Sequence, residues 1–189
     1  VTGVDGAGLY TASSADADGP VGVVTVQVDG NLYLDGTQNA VTLRTATGGT
    51  TNFIVNGNVR VGRTLKPTGT AAGGNNVSNI TVNSGGTLRV GTGLAQGVCY
   101  FHWPTQTVTG AGTFEFVCGT MQIGATAGLD PTNGPIRTTT RIFGSRGKYE
   151  YIGTSPQVTG PELPSTIGLI RTNGAGVSLT NDVRVDSGI

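Results

Sequence analysis

Apolar and polar residues alternate along most of this chain in short runs, nearly all of three to five residues. The runs end at Gly, Asn or Asp, which favour turns. Helical spacing is hard to find, because glycine interrupts almost every eleven-residue window. The pattern predicts an all-β chain with strands at Val23–Val28, Asn31–Leu34, Val41–Arg44, Phe53–Val55, Asn58–Val61, Thr113–Val117, Thr120–Ile123, Lys148–Ile152, Val177–Leu179 and Asp182–Val185.

The strand pattern also repeats at a constant spacing. The segments VQVDGNLYL, FIVNGNVRV and ITVNSGGTLRV align, and they place Val28, Val55 and Val82 at equal intervals. One more interval of the same length reaches Thr109, within a segment of the same shape. A constant period of this kind is typical of a solenoid. We therefore predict a right-handed parallel β-helix with coils of about 27 residues. An antiparallel β-sandwich is the alternative, since it also contains many short strands, but it requires no such register.

This register divides the strand residues into inward and outward positions. Glycine supplies 33 of the 189 residues, about twice its ordinary share, and it turns tight corners at low steric cost. We expect one domain over residues 1–189, with regular coils over about 20–125 and looser coils over 126–189. Because the last residues stop within a strand-and-turn unit, we expect the natural polypeptide or the assembly to continue beyond them. The predicted inward residues are Val28, Leu32, Leu34, Val55, Val59, Val61, Val82, Leu88 and Val90.

Charge narrows the classes of partner. Only 12% of residues are charged, and the 11 basic residues balance the 11 acidic ones, so nucleic-acid binding is disfavoured. Five aspartates precede the first basic residue, and five basic residues then follow with no acidic residue among them. In a solenoid this order places an acidic region beside a basic one along the axis. That arrangement favours head-to-tail association of copies, although chance in a small sample explains it equally well.

The second half of the chain has a distinctive order of short motifs. Gly112–Phe116, Gly119–Gly124 and Tyr149–Thr154 (YEYIGT) are followed by PQVTG and then by Leu163 and Pro164. This order resembles the large β-strand-repeat surface proteins and adhesins that Bacteroidota-type bacteria export through the type IX secretion route. The resemblance covers about residues 80–189. It implies a secreted β-helical stalk, adhesin or extracellular fibre, and it implies no catalytic residues.

Two cysteines and a group of aromatic residues lie outside the repeat. One interpretation is a Cys99–Cys118 disulfide, which closes a loop of about 20 residues and stabilises the chain by about 3 kcal/mol. Two unpaired thiols are the alternative. The aromatic residues of this loop either cover the side of the solenoid or contact a neighbouring subunit or a sugar ring. They form the candidate contact patch: Tyr100, Phe101, His102 and Trp103.

Catalytic and metal-binding patterns are weak. Asp29 lies at a turn position that becomes Asn56 and then Asn83, as expected of a turn former rather than a catalytic acid. Asp16 and Asp18 resemble the start of a calcium loop, but the remaining ligands are missing, which favours a plain turn. With one histidine and no CxxC motif, no zinc site is predicted. The other carboxylates considered are scattered: Asp35, Glu115, Glu150, Glu162, Asp182 and Asp186.

These observations predict a protein without catalysis, cofactor or metal, located outside the cell or on its surface. Its expected role is structural or adhesive, as a filament subunit or a segment of a surface stalk. It would associate with itself head to tail or contact a surface or glycan, without inserting into a membrane. A carbohydrate-active β-helix enzyme, a polysaccharide lyase or hydrolase, is one alternative. A glycan- or calcium-binding module is the other.

Overall fold

The chain folds as a right-handed parallel β-helix with coils of about 27 residues, as predicted. The computed structural model describes residues 8–11, 23–34, 40–43, 50–66, 77–91, 97–101 and 106–186. Within these ranges there is no helix, and therefore none that could cross a membrane. Every strand pair in them is parallel, which excludes the antiparallel sandwich.

The strands are short because the chain turns a corner after each of them. In chain order they are β1 (Gly8–Thr11), β2 (Val23–Val28), β3 (Asn31–Leu34), β4 (Ala40–Leu43), β5 (Thr50–Val55), β6 (Asn58–Val61), β7 (Thr64–Lys66), β8 (Val77–Val82), β9 (Thr87–Val90), β10 (Gly97–Phe101), β11 (Gln106–Phe116), β12 (Gly119–Ile123), β13 (Ile136–Phe143), β14 (Gly147–Tyr151), β15 (Gln157–Val158), β16 (Thr166–Ile167), β17 (Leu169–Thr172), β18 (Val177–Ser178) and β19 (Arg184–Val185).

Two large parallel sheets form the walls of the solenoid. The first has the order β1-β4-β7-β10-β12-β14-β17, so each successive coil adds one strand. The second sheet holds two strands from each early coil: β2, β5 and β8 on one side of a corner, and β3, β6 and β9 on the other. β11 pairs with both β8 and β9, and β13 then pairs with β11. Outward side chains of successive coils therefore lie one strand spacing apart, about 4.8 Å.

The predicted period holds for the first three coils and changes in the fourth. Val28 pairs with Val55 and Val55 with Val82, which confirms the predicted register. Thr109, however, pairs with Thr81, so its predicted alignment with Val82 is wrong by one position. At the other end of β11 the shift is reversed, because Val90 pairs with Phe116 and not with Val117. The cause is that β11 runs straight through the corner that separates β8 from β9, and it does so with fewer residues.

The core lies between the sheets and follows the predicted inward positions. Six of the nine are fully buried, Leu34 is nearly so, and Val28 and Leu32 are partly buried against the others. Removing each such side chain from water contributes about 1.5–3 kcal/mol. The later coils replace these aliphatic residues with aromatic ones, and the buried aromatic side chains are Phe53, Phe101, Phe114, Phe116, Tyr149 and Tyr151.

The coils shorten towards the end of the described region. Tyr149 pairs with Ile170, and Ile167 pairs with Val185, so each of these coils contains fewer residues than the coils that precede them. The loops after β12 and β14 lie against each other, with the Leu129 N–H donating to the Thr159 carbonyl at 2.9 Å. The expectation of a single domain over residues 1–189 stays a prediction, because several parts of the chain lie outside the described residues.

Candidate functional site

The outer surface carries ladders of polar side chains that join one coil to the next. At the corner between the two halves of the second sheet, the Asn83 amide donates to Asn56 Oδ1 at 2.7 Å. The Asn56 amide donates in turn to Asp29 Oδ1 at 2.6 Å. This corner ladder lowers the pKa of Asp29, first through Asn56 and then through Gln27, which donates to the same oxygen. The prediction that Asp29 is a repeated turn residue is confirmed.

Two further amide contacts run beside the corner ladder. Asn58 donates to Asn31 Oδ1 at 3.0 Å, and Asn79 donates to Asn52 Oδ1 at 3.1 Å. A side-chain amide both donates and accepts, so a stack of asparagines continues from coil to coil without an unmatched neighbour. These residues therefore hold adjacent coils together.

A third ladder contains charged and aromatic side chains, and we call Tyr33, Arg60, Arg89 and Glu115 the arginine row. The strand register places these residues in line on β3, β6, β9 and β11. The Arg60 guanidinium lies over the Tyr33 ring, 4.0 Å from its centroid. Arg89 holds Glu115 with two bonds, Nε to Oε2 at 2.7 Å and Nη2 to Oε1 at 3.1 Å. The row extends along the axis of the solenoid.

Glu150 is the most buried carboxylate of the described residues, with 7% of its surface exposed. Gln122 on the preceding coil donates to Oε2 at 2.7 Å, and the Asn173 amide donates to Oε1. Arg171 Nε lies 3.6 Å from the same Oε1. Its neighbours therefore satisfy this carboxylate as a structural group between two coils.

Glu162 and Asp130 also have structural partners. Glu162 makes two bonds to Arg141, at 2.6 and 2.8 Å, and ties its loop to β13. Hydrogen bonding to Glu162 raises the pKa of Arg141. Asp130 accepts from the backbone N–H groups of Asn133 and Thr132, and these bonds lower its pKa. Asp182 and Asp186 lie exposed on the last described coil.

No disulfide joins Cys99 to Cys118, so the bridged interpretation is wrong for this structure. Gly97 pairs with Gly119 and Cys99 with Met121, which places Cys118 three residues short of the level of Cys99. Three residues of extended chain span about 10 Å, whereas bridged cysteines have Cα atoms within about 7 Å. Cys99 lies in the buried core, where desolvation raises the pKa of its thiol.

The predicted aromatic contact patch is only partly described. Phe101 is fully buried and packs edge-on against Phe114, with ring centroids 6.4 Å apart, so its assignment to a surface patch is wrong. Tyr100 pairs with Gln122 through its backbone. The Tyr100 side chain, and His102 and Trp103, lie outside the described residues, as do Asp16, Asp18 and Asp35. Among the described residues, no three His, Cys, Asp or Glu side chains are grouped to hold a metal ion.

Sequence reasoning missed the cross-coil ion pairs and a buried glutamine. Arg89 and Glu115 are 26 residues apart, so a search for opposite charges one coil apart would have found the pair. Gln157 is buried, donates to the Ile123 and Ala125 carbonyls at 2.9 Å, and accepts from the Gly153 N–H at 2.6 Å. Nothing in the local sequence distinguishes Gln157 from an exposed loop residue.

Comparison of the chain with protein-family models, curated proteins and solved structures gave no match. The resemblance to type IX-secreted surface proteins therefore stays a prediction.

Proposed function

We propose that this protein is a non-catalytic structural and adhesive protein that acts outside the cell, as a filament subunit or as a segment of a surface stalk. The observation that carries the proposal is the use of the outer polar side chains. The corner ladder, the arginine row and the Glu150 cluster all bond one coil to the next. Such a surface strengthens the rod along its axis.

The state of the carboxylates supports the absence of catalysis. A glycoside hydrolase needs two carboxyl groups that face the same scissile bond. In the described part of the chain, Glu115, Glu150 and Glu162 each accept bonds from arginine or amide groups of the protein itself. Neutralised in this way, they are poor candidates for general acids or bases, which need a proton that can be exchanged with substrate.

The last described coil supports end-on association. Ile167 is fully buried, but its register partner Val185, in the same inward column, is 46% exposed. Tyr149 is likewise buried, and its partner Ile170 is only partly covered. Aliphatic columns that end in this way favour the addition of another coil, and unpaired strand edges offer backbone hydrogen bonds to it. We propose that a second copy supplies this coil, in a head-to-tail arrangement.

Electron microscopy and sedimentation velocity of the purified protein test this proposal. We expect filaments from the wild type and markedly shorter particles from Val185→Glu, because a charge cannot be buried in the column. Ile142→Glu is the matched control, since Ile142 is 47% exposed but lies on an outer strand, in register with Glu115.

Equal effects of the two substitutions, or a monomeric wild type, would contradict end-on association. Short rods that cleave a polysaccharide would instead establish the enzyme alternative.

A further inference from the structure

We propose that the arginine row binds an acidic polysaccharide, a polymer of sugars that carry carboxylate groups, which lies along the axis of the rod. This inference rests on the proposed adhesive function and names the chemistry of its ligand. It depends on three observations: the pairing of Arg89 with Glu115, the placement of Arg60, and the distribution of charge along the chain.

The Arg89–Glu115 pair shows that a carboxylate fits this surface. The guanidinium edge and the carboxylate make two bonds, at 2.7 and 3.1 Å, and 42% of the Arg89 side chain remains exposed. A guanidinium recognises a planar carboxylate in this two-bond manner, which a point charge does not. Glu115 therefore stands in for the carboxylate of a ligand, on the surface where the ligand would lie.

Arg60 presents the same chemistry one coil earlier. It is the register partner of Arg89, and like charges placed directly opposite each other on neighbouring strands are destabilising. An anion beside the pair relieves that repulsion. The Tyr33 ring holds the Arg60 guanidinium at 4.0 Å, and a guanidinium stacked on a ring still directs its in-plane N–H groups outward along its edge.

The surrounding charge is favourable for an anion. Between Asp35 and Glu115 the sequence contains no Asp or Glu, whereas it contains four arginines and one lysine. Arg63, at the corner after β6, is exposed and adds positive charge to the coil that contains Arg60. Asn58 and Thr87, also in register, contribute neutral hydrogen-bonding groups on the same strands. The repeat of side chains at about 4.8 Å along the axis suits a linear polymer better than a single small anion.

A binding measurement with polygalacturonate as the probe tests the proposal. We expect the wild type to bind it, and to bind fully methyl-esterified polygalacturonate much more weakly, because esterification removes the carboxylates. Arg60→Gln and Arg63→Gln should each weaken binding about tenfold, as expected for the loss of a charge-assisted contact. Arg184→Gln is the matched control: it removes the same charge from an exposed arginine on the last coil, and we expect no change.

Each other outcome has a defined meaning. Equal binding of the esterified polymer, or no effect of Arg60→Gln in a variant with wild-type thermal unfolding, would overturn the proposal. So would tighter binding of dextran sulfate or DNA, because binding would then depend on charge alone. If filaments form but polygalacturonate does not bind, this inference fails and the structural role stands. If polygalacturonate binds but no filament or stalk forms, the reverse holds.

Discussion

Arg89 reaches across the boundary between two coils and holds Glu115 with two hydrogen bonds, from Nε to Oε2 and from Nη2 to Oε1. The two residues belong to β9 and β11, which pair in parallel register. The contact therefore stabilises the stack and also sets the charge of the surface on which it lies.

Glu115→Gln should change stability and ligand binding in opposite directions. The loss of a partly exposed ion pair lowers the free energy of unfolding by about 0.5–1 kcal/mol. The same change leaves Arg89 without its carboxylate partner, so affinity for polygalacturonate should rise. Urea unfolding and a binding titration of the same variant check both signs. A stabilised variant, or one with weaker binding, would contradict the role given to this pair.

Acid should weaken the fold through Asp29 and Asp130. Both carboxyl groups have a pKa below the ordinary value of 3.8, because they accept hydrogen bonds in the folded state. Their contribution to stability is therefore present above pH 3.8 and is lost as the pH falls below it. Urea midpoints measured at a series of pH values should decrease in that range. Asp29→Asn, which continues the amide ladder with a neutral residue, should show a smaller decrease than the wild type.

Gly119→Ala should destabilise the protein by about 2–3 kcal/mol, the range expected for an enforced backbone strain. Gly119 has a φ of +111°, and an added Cβ would lie 1.8 Å from the Gly97 carbonyl oxygen of the preceding coil. Gly30→Ala is the control, because an added Cβ there meets nothing within 4 Å. Thermal unfolding compares the two variants, and equal loss in both would show that the coils do not approach as described.

Reductant should leave the mass and the unfolding temperature of the protein unchanged. Cys99 is buried with a raised thiol pKa, so it should react with iodoacetamide far more slowly than Cys118, which is partly exposed. Mass spectrometry of native protein after timed alkylation measures both rates. A native mass that rises by two hydrogens on reduction would establish the disulfide that the register excludes.

Much of the regular part of the fold was predictable from the sequence. β2, β3 and β6 begin and end where the alternation predicts, because each strand stops at a turn residue that recurs in the next coil. β13 was missed, since its sequence IRTTTRIF has few apolar residues and its stability comes from pairing with β11. β10 was also missed, and with it the burial of Phe101.

The remaining errors arose from contacts between coils, which sequence distance does not reveal. Cys99 and Cys118 are compatible with a bridge by loop length, but the register of β10 and β12 separates them. Thr109 was misaligned because β11 crosses the corner with fewer residues than the coils before it. Arg141 and Glu162 come together only because the loop after β14 packs against β13.

Fibre diffraction from aligned filaments tests the proposed structural role most directly. If copies add end on, the strand spacing of about 4.8 Å lies along the filament axis and gives a reflection on the meridian. A reflection of that spacing on the equator, or a protein that forms no filaments at any concentration, would contradict end-on assembly.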